Sequence, residues 1–241
     1  MKTSTTFLLA ALLVLLASLT AYNMALRAEY RSGAYKDPLR AYKVLNFKDF
    51  TGVAVHAASA LSVKIVAGPF GVRVNPAAAQ LVRVSQQDGQ LRLTLALPKY
   101  PQTLGRGETV VISCPHLAAL STAGTYLQDG QPHLDQSANG GRRVLVQGFH
   151  QDSLTLSQAN GSRIKLISNR LSYLRAVAGA TPASRAVLTI GANNRIAAAD
   201  LTVSPRSQLL LSDIVIPQLR THLADSAQVT LSGAALAGLR R

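Results

Sequence analysis

The residues that could do acid–base or metal chemistry are few and scattered. Eleven carboxylates are spread from Glu29 to Asp225. A glycosidase needs two of them flanking one bond. Asp200, Asp213 and Asp225 occupy different places relative to the repeat described below, so no catalytic pair is expected from them. The five histidines, His56, His116, His133, His150 and His222, form no HExxH-type ligand pair. The "HQD" of His150–Asp152 is a candidate base or ligand fragment that reads more simply as a solvated turn. The chain has no GxSxG, no P-loop and no dinucleotide fingerprint. Its one cysteine, Cys114, has no CxxC partner for a metal and follows the strand-like Val110-Val111-Ile112. It reads as a small buried apolar residue. These observations imply no catalytic residue, no metal, no cofactor and no enzymatic activity.

What remains is charge. The 241 residues carry 25 Lys and Arg against 11 Asp and Glu, a formal net charge of +14. Such a balance favours anionic partners: nucleic acid, lipid headgroups or acidic polysaccharide. The basic residues form no dense run and few aromatics interleave, so nucleic acid is not expected.

The positions of some arginines depend on the elements that hold them. From Phe50 the apolar period is two, as in "TGVAVHA", "FGVRVN" and "LVRVSQQDGQLRLTLAL", the last a hairpin around Asp88-Gly89. Beyond the N-terminal segment no long run has a helical period. A short alternation then recurs: "RRVLV" ending at Val146, "SRIKL" at Leu166, "SRAVL" at Leu188, "SQLLL" at Leu211 and "AQVTL" at Leu231. The intervals are 20, 22, 23 and 20 residues, the length of one coil of a stacked β structure. The spacing predicts an all-β chain, a parallel β-solenoid (β-helix-like) domain following one N-terminal hydrophobic helix. An antiparallel sandwich is the alternative. In the predicted register Leu166, Leu188, Leu211 and Leu231 share one inward column. Arg143, Arg163 and Arg185, followed by Gln208 and Gln228, form an outward ladder at about 4.8 Å spacing. That ladder is the candidate anion-binding site.

Between Lys2 and Arg27 lie 24 uncharged residues centred on "FLLAALLVLLASL". As a helix they reach about 36 Å, against a hydrocarbon core of about 30 Å. A signal peptide is the rival, but "ASLTAYNMALRAEY" has no clean small-x-small cleavage site. The expected organisation is a membrane anchor or signal segment over 1–28, a basic tyrosine-bearing linker over 29–48, a β-solenoid over 49–234 and a basic tail over 235–241. The basic residues after the segment argue for a cytoplasmic C-terminus, yet long folded domains translocate despite flanking charge. The expected placement is an inner-membrane anchor with the β domain outside the cytoplasm, or a secreted or periplasmic product if the segment is cleaved.

Four stretches together resemble the auto-transporter adhesin "head GIN" domain family, a domain of unknown function: "FKDFTGVAVHAASALSVKIVAG", "VRVSQQDGQLRLTLALP", "VVISCPHLAALSTAG", and the coils from Val144 to Leu231. The resemblance covers roughly 46–233. It implies a β-solenoid outside the cytoplasmic membrane and no catalytic activity. The Ser-Gly-x-Gly turns frequent in that family are degraded here to "STAGTYL", "SQANGSR", "VAGATPA" and "ADSAQV". The expected function is a non-catalytic, membrane-anchored envelope protein that binds, adheres or scaffolds. Anionic lipid headgroups or acidic polysaccharide are the expected partners. The alternative is a polysaccharide-acting β-helix enzyme.

Overall fold

The computed structural model describes residues 3–33, 37–99, 103–137 and 140–237, and it divides into two compact units, Met1–Tyr42 and Lys43–Arg241. The first unit holds helix α1, Thr3–Ser32. Leu and Ala, strong helix formers, dominate it, and neither Pro nor Gly interrupts it. Gly33, at φ +67°, ends it in the left-handed conformation favoured after a helix C-terminus. The hydroxyls of Ser18 and Thr20 donate to Val14 O and Leu16 O, so these side chains are satisfied within the helix. The described side chains from Thr5 to Arg31 are exposed, including Phe7, Leu13 and Val14. Such an apolar surface needs a non-aqueous surround. By length and composition α1 can cross a membrane, and it fits a signal peptide or an anchor.

The second unit is built from two sheets. One, among the described residues nine-stranded, runs in the order β1 (Lys43–Leu45), β4 (Gly71–Val74), β7 (Val110–Cys114), β3 (Val63–Ala67), β11 (Val144–Gln147), β13 (Arg163–Ile167), β15 (Val187–Ile190), β17 (Gln208–Ser212), β19 (Gln228–Ser232). The other, ten-stranded, runs β10 (Gln131–Leu134), β9 (Thr125–Gln128), β6 (Gln90–Leu97), β2 (Gly52–Val55), β8 (Ala119–Thr122), β12 (His150–Gln158), β14 (Arg170–Ala178), β16 (Arg195–Val203), β18 (Gln218–Leu223). β5 (Val82–Gln87) pairs with β6 off this path. A four-residue helix, α2 (Ala234–Ala237), follows β19.

The all-β reading after one N-terminal helix holds, but the parallel β-solenoid is corrected: both sheets are mixed. β4 is antiparallel to β1 and to β7, β5 to β6, and β9 to β10. The physical reason is local. Asp88 and Gly89 both have positive φ (50° and 71°), as do Asp129 and Gly130 (52° and 74°). Two-residue turns of that hand match the twist of an antiparallel pair and send the chain straight back beside itself. From β11 onward successive strands alternate between the sheets and pair in parallel with the strand two places on.

The register also corrects the predicted inward column. Leu166 aligns with Ile190, then Leu211 and Leu231. Leu188 lies one inward position away, aligned with Ile164 and Leu209. The loop before β15, residues 179–186, has eight residues against four before β13, β17 and β19; the partner of Leu166 is therefore Ile190, and Leu188, two residues earlier, still points inward. These columns pack in one core with Leu154, Leu156, Leu174, Ala176 and Leu201 of the second sheet and with Phe50 and Phe149; all are buried except Leu231, which is partly buried against that core. Buried asparagines close the bends. Asn169 Nδ2 donates to Val146 O at 3.1 Å, and Asn194 Nδ2 donates to Leu166 O at 2.9 Å and to Gly191 O at 2.7 Å.

Candidate anion-binding cleft

A row of two arginines and a histidine does run across parallel strands, on the opposite sheet from the one expected. His150 of β12 is opposite Arg170 of β14, and Arg170 is opposite Arg195 of β16. Neighbouring strands lie about 4.8 Å apart. All three side chains are exposed. No hydrogen bond or ion pair engages the side chain of Arg170 or Arg195 among the described residues. Like charges directly opposite one another destabilise a sheet, so the row is held together by the core beneath it. Gln151, Leu171 and Ile196 are the next residues along, with Leu171 and Ile196 buried. The Gln151 side chain accepts from Leu117 N–H at 3.0 Å and donates to Leu117 O at 2.6 Å.

Alternation then breaks on all three strands at the same place. Asp152 and Ser153 are both exposed before Leu154 turns inward, as are Ser172 and Tyr173 before Leu174. Ala197 and Ala198 fill the same two positions before Ala199. The register is kept across the break, with Gln151 opposite Leu171 and Ser153 opposite Tyr173, and Leu171 opposite Ile196 and Tyr173 opposite Ala198, so two successive residues face outward at the same place on all three strands. A cleft of about 660 Å³ lies here, lined by the cationic row, by Asp152, Ser172 and Ala197, and at one end by Val215 and Pro217. The small side chains of Ser172 and Ala197 leave its floor open, while Arg170 and Arg195 present forked donors suited to carboxylate, sulfate or phosphate oxygens.

The arginines singled out from the repeat are placed differently. Arg163 lies at the start of β13, and because Val144 aligns with Ile164, Arg143 is beside it. The third place in that row is Val187, followed by Gln208 and Gln228. Arg185 sits two residues earlier, bridged to Ser137. Two of the three arginines are therefore neighbours and the third is not. Arg163 also donates to Gly140 O at 2.9 Å. Gln208 Nε2 donates to Gln228 Oε1 at 2.8 Å, so the glutamines do extend the row.

The acids do not gather. Asp200 lies 3.6 Å from His222, and Asp135 lies 3.1 Å from His133. Among the described residues no group of three or more His, Cys, Asp or Glu side chains is placed to hold a metal. Cys114 is fully buried, and burial pushes its thiol up to about 12. The row was missed in the sequence because His150, Arg170 and Arg195 open strands whose inward pattern is interrupted two residues later. The 20- and 25-residue spacing of these three was the one available signal.

No family model and no curated protein matches the chain. Several solved structures are similar to it. One is a candidate adhesin from Bacteroides fragilis NCTC 9343, 12% identical with a TM-score of 0.41, covering 79% of this chain and 95% of that one. A candidate adhesin from Parabacteroides distasonis ATCC 8503 is 10% identical with a TM-score of 0.38, covering 78% and 95%. A candidate lipid-binding protein from the same organism is 11% identical with a TM-score of 0.27, covering 80% and 94%. At these identities and scores the likenesses carry no argument about this chain.

Proposed function

We propose that the Lys43–Arg241 unit is a non-catalytic binding module of the cell envelope, and that the cleft of His150, Arg170 and Arg195 takes the anionic groups of its ligand. The observation that supports this is the row itself: three exposed cationic or ionisable side chains in register on adjacent strands, with no acid paired to the two arginines. Asp152 is the single carboxylate among the lining residues, which favours binding over glycoside cleavage by a carboxylate pair. The ligand chemistry is a repeated or clustered carboxylate, sulfate or phosphate. An acidic polysaccharide and an anionic lipid headgroup both supply it. In this reading α1 anchors the chain to the inner membrane, with the β unit outside the cytoplasm where such polymers occur.

The test uses the full chain in neutral phosphatidylcholine nanodiscs. Binding of polygalacturonate, of neutral dextran, and of vesicles with and without phosphatidylglycerol is measured across a salt series. The reading expects binding to one anionic probe that weakens with salt, no binding to dextran, and at least a tenfold loss in R170Q/R195Q. The triple change R143Q/R163Q/R185Q, at the positions the repeat suggested, is expected to cost less. Equal losses in the two variants would reduce the cleft to general charge, and no binding at low salt would end the proposal.

A further inference from the structure

A second concavity lies on the outer face of the ten-stranded sheet, around β5, β6, β9 and β10, and its argument does not depend on the cleft above. It forms where β2 runs out. Val55 is the last residue of β2. The N–H of His56 then donates to Leu93 O at 3.0 Å, and His56 O accepts from the N–H of Thr125 at 2.7 Å. His56 is thus held between β6 and β9. Further along β6, Ala96 pairs directly with Leu127 of β9. One strand gives way to another at this point, and a cavity of about 540 Å³ lies over the change. Small-molecule pockets span about 300–1,000 Å³.

The register divides its walls by chemistry. Leu91, Leu93 and Leu95 of β6 are buried, so Arg92, Thr94 and Ala96 between them face outward. Arg83 is opposite Thr94 and shares that face. Val55 is opposite Leu93, so His56 comes out beside Thr94. Leu127 is opposite Ala96, Pro132 is opposite Leu127, and Leu134 is opposite Thr125. One half of the wall is therefore Arg83 and His56, with Arg92 at the next outward position along β6, and the other half is Ala96, Leu127, Pro132 and Leu134. Leu127 is 44% exposed and Leu134 is 51% exposed, large apolar side chains left open next to two arginines. Neither arginine has an ion-pair partner among the described residues. Burial, with the charge of Arg92, lowers the pKa of His56, so near neutral pH its ring is uncharged and offers one donor and one acceptor. Tyr126 and His133, with ring centroids 4.8 Å apart, also line the cavity, and Asp135 is engaged by His133.

We propose that this cavity binds an amphipathic anion with one alkyl chain, its head at Arg83 and Arg92 and its chain across Leu127, Pro132 and Leu134. Charge complementarity selects this occupant. A neutral apolar ligand leaves Arg83 of the wall and Arg92 beside it unanswered, and an amphipathic cation meets repulsion at the same place. An added peptide strand is disfavoured because Pro132 removes an N–H from the edge strand β10. The carboxylate of a fatty acid and the phosphate of an alkyl phosphate share the required chemistry.

The experiment again uses the full chain in phosphatidylcholine nanodiscs, probed with a laurate analogue carrying a diazirine at the chain end. After irradiation the labelled residues are mapped by mass spectrometry. Labelling is expected within 125–134, with competition by unlabelled laurate or lauryl phosphate and none by laurylamine or inorganic phosphate. R83Q/R92Q should lower labelling at least fivefold. R83K/R92K, which keeps the charge, should retain most of it, and L127Q/L134Q should lose it. All four side chains are exposed, so thermal unfolding of these variants should match the parent. Labelling spread over α1 or other surfaces, equal competition by laurylamine, or undiminished labelling in R83Q/R92Q would overturn the proposal. R170Q/R195Q should label like the parent, so this site and the cleft stand or fall separately.

Discussion

At the residue scale, burial decides what Cys114 and Leu188 can do. The thiol of Cys114 lies fully inside the first sheet and ionises only near pH 12. It should therefore resist alkylation by iodoacetamide at pH 8 in the folded chain and react on unfolding. The sign of its pH dependence follows from the raised value. In the unfolded chain the thiol ionises near its ordinary 9.0, so above that pH the unfolded state holds fewer protons. This group then lowers folding stability as pH rises from about 9 toward 12, by about 1.4 kcal/mol per unit. Denaturant titrations of the parent and Cys114→Ala at pH 8 and pH 10.5 should show the pH slope shrinking in the variant. Leu188, 1% exposed, packs in the core although one inward position from the column that its spacing suggested. Truncation to Ala should cost about 2–5 kcal/mol. Aspartate there should cost more, because a charge enters an apolar interior without a partner. A parent-like melting temperature for Leu188→Asp would contradict the burial.

At the element scale, the bends are fixed by asparagines. Asn169 Oδ1 accepts from Phe149 N–H at 3.0 Å, and Asn194 Oδ1 accepts from both the backbone N–H and the side-chain amide of Asn169, each at 3.0 Å. One amide thus satisfies backbone groups of the preceding bend while its own bend is satisfied by the next. Replacing Asn194 with Ala removes an acceptor and a donor and leaves buried groups unpaired, at about 1–3 kcal/mol each. Asn169→Ala should cost a similar amount, and the double variant less than the sum, because the two share bonds. A thermodynamic cycle from denaturant melts measures that coupling. These bends also mark the limit of sequence reading. The strands of the second half were legible because one face of each is apolar at period two and the intervals are regular. The Asp88-Gly89 hairpin was legible because both positions need positive φ. What was not legible was which bends reverse the chain and which carry it to the other sheet. "QDGQ" appears before Pro132 as it does before Leu91, yet the second hairpin, around Asp129-Gly130, lacks a strongly alternating return strand, since β10 is exposed throughout. Nor was the shared break in alternation legible beside His150, Arg170 and Arg195, because two successive outward residues look like a strand end.

At the scale of the whole molecule, the chain carries an exposed apolar helix, α1, which water does not suit, and exposed arginines on the β unit. They make consistent demands if α1 stays attached and holds the β unit near an anionic surface or polymer. Retention is argued from the cleavage region. Ala21 and Ala28 are each preceded two residues earlier by leucine, Leu19 and Leu26, where a signal peptidase needs a small side chain. The helix itself continues without a break to Ser32, past both positions, so no extended segment is presented there. The expected outcome is that protein extracted from membranes has the intact mass of a chain that includes α1. Protease added to the outside of spheroplasts should then digest the β unit once it is heated through its melting transition, while a cytoplasmic control stays whole. A mature chain beginning near Tyr22 or Glu29 would instead mean a cleaved signal and a released product. A β unit protected until the membrane is breached would place it in the cytoplasm, as the basic residues from Arg27 to Lys48 would favour on their own.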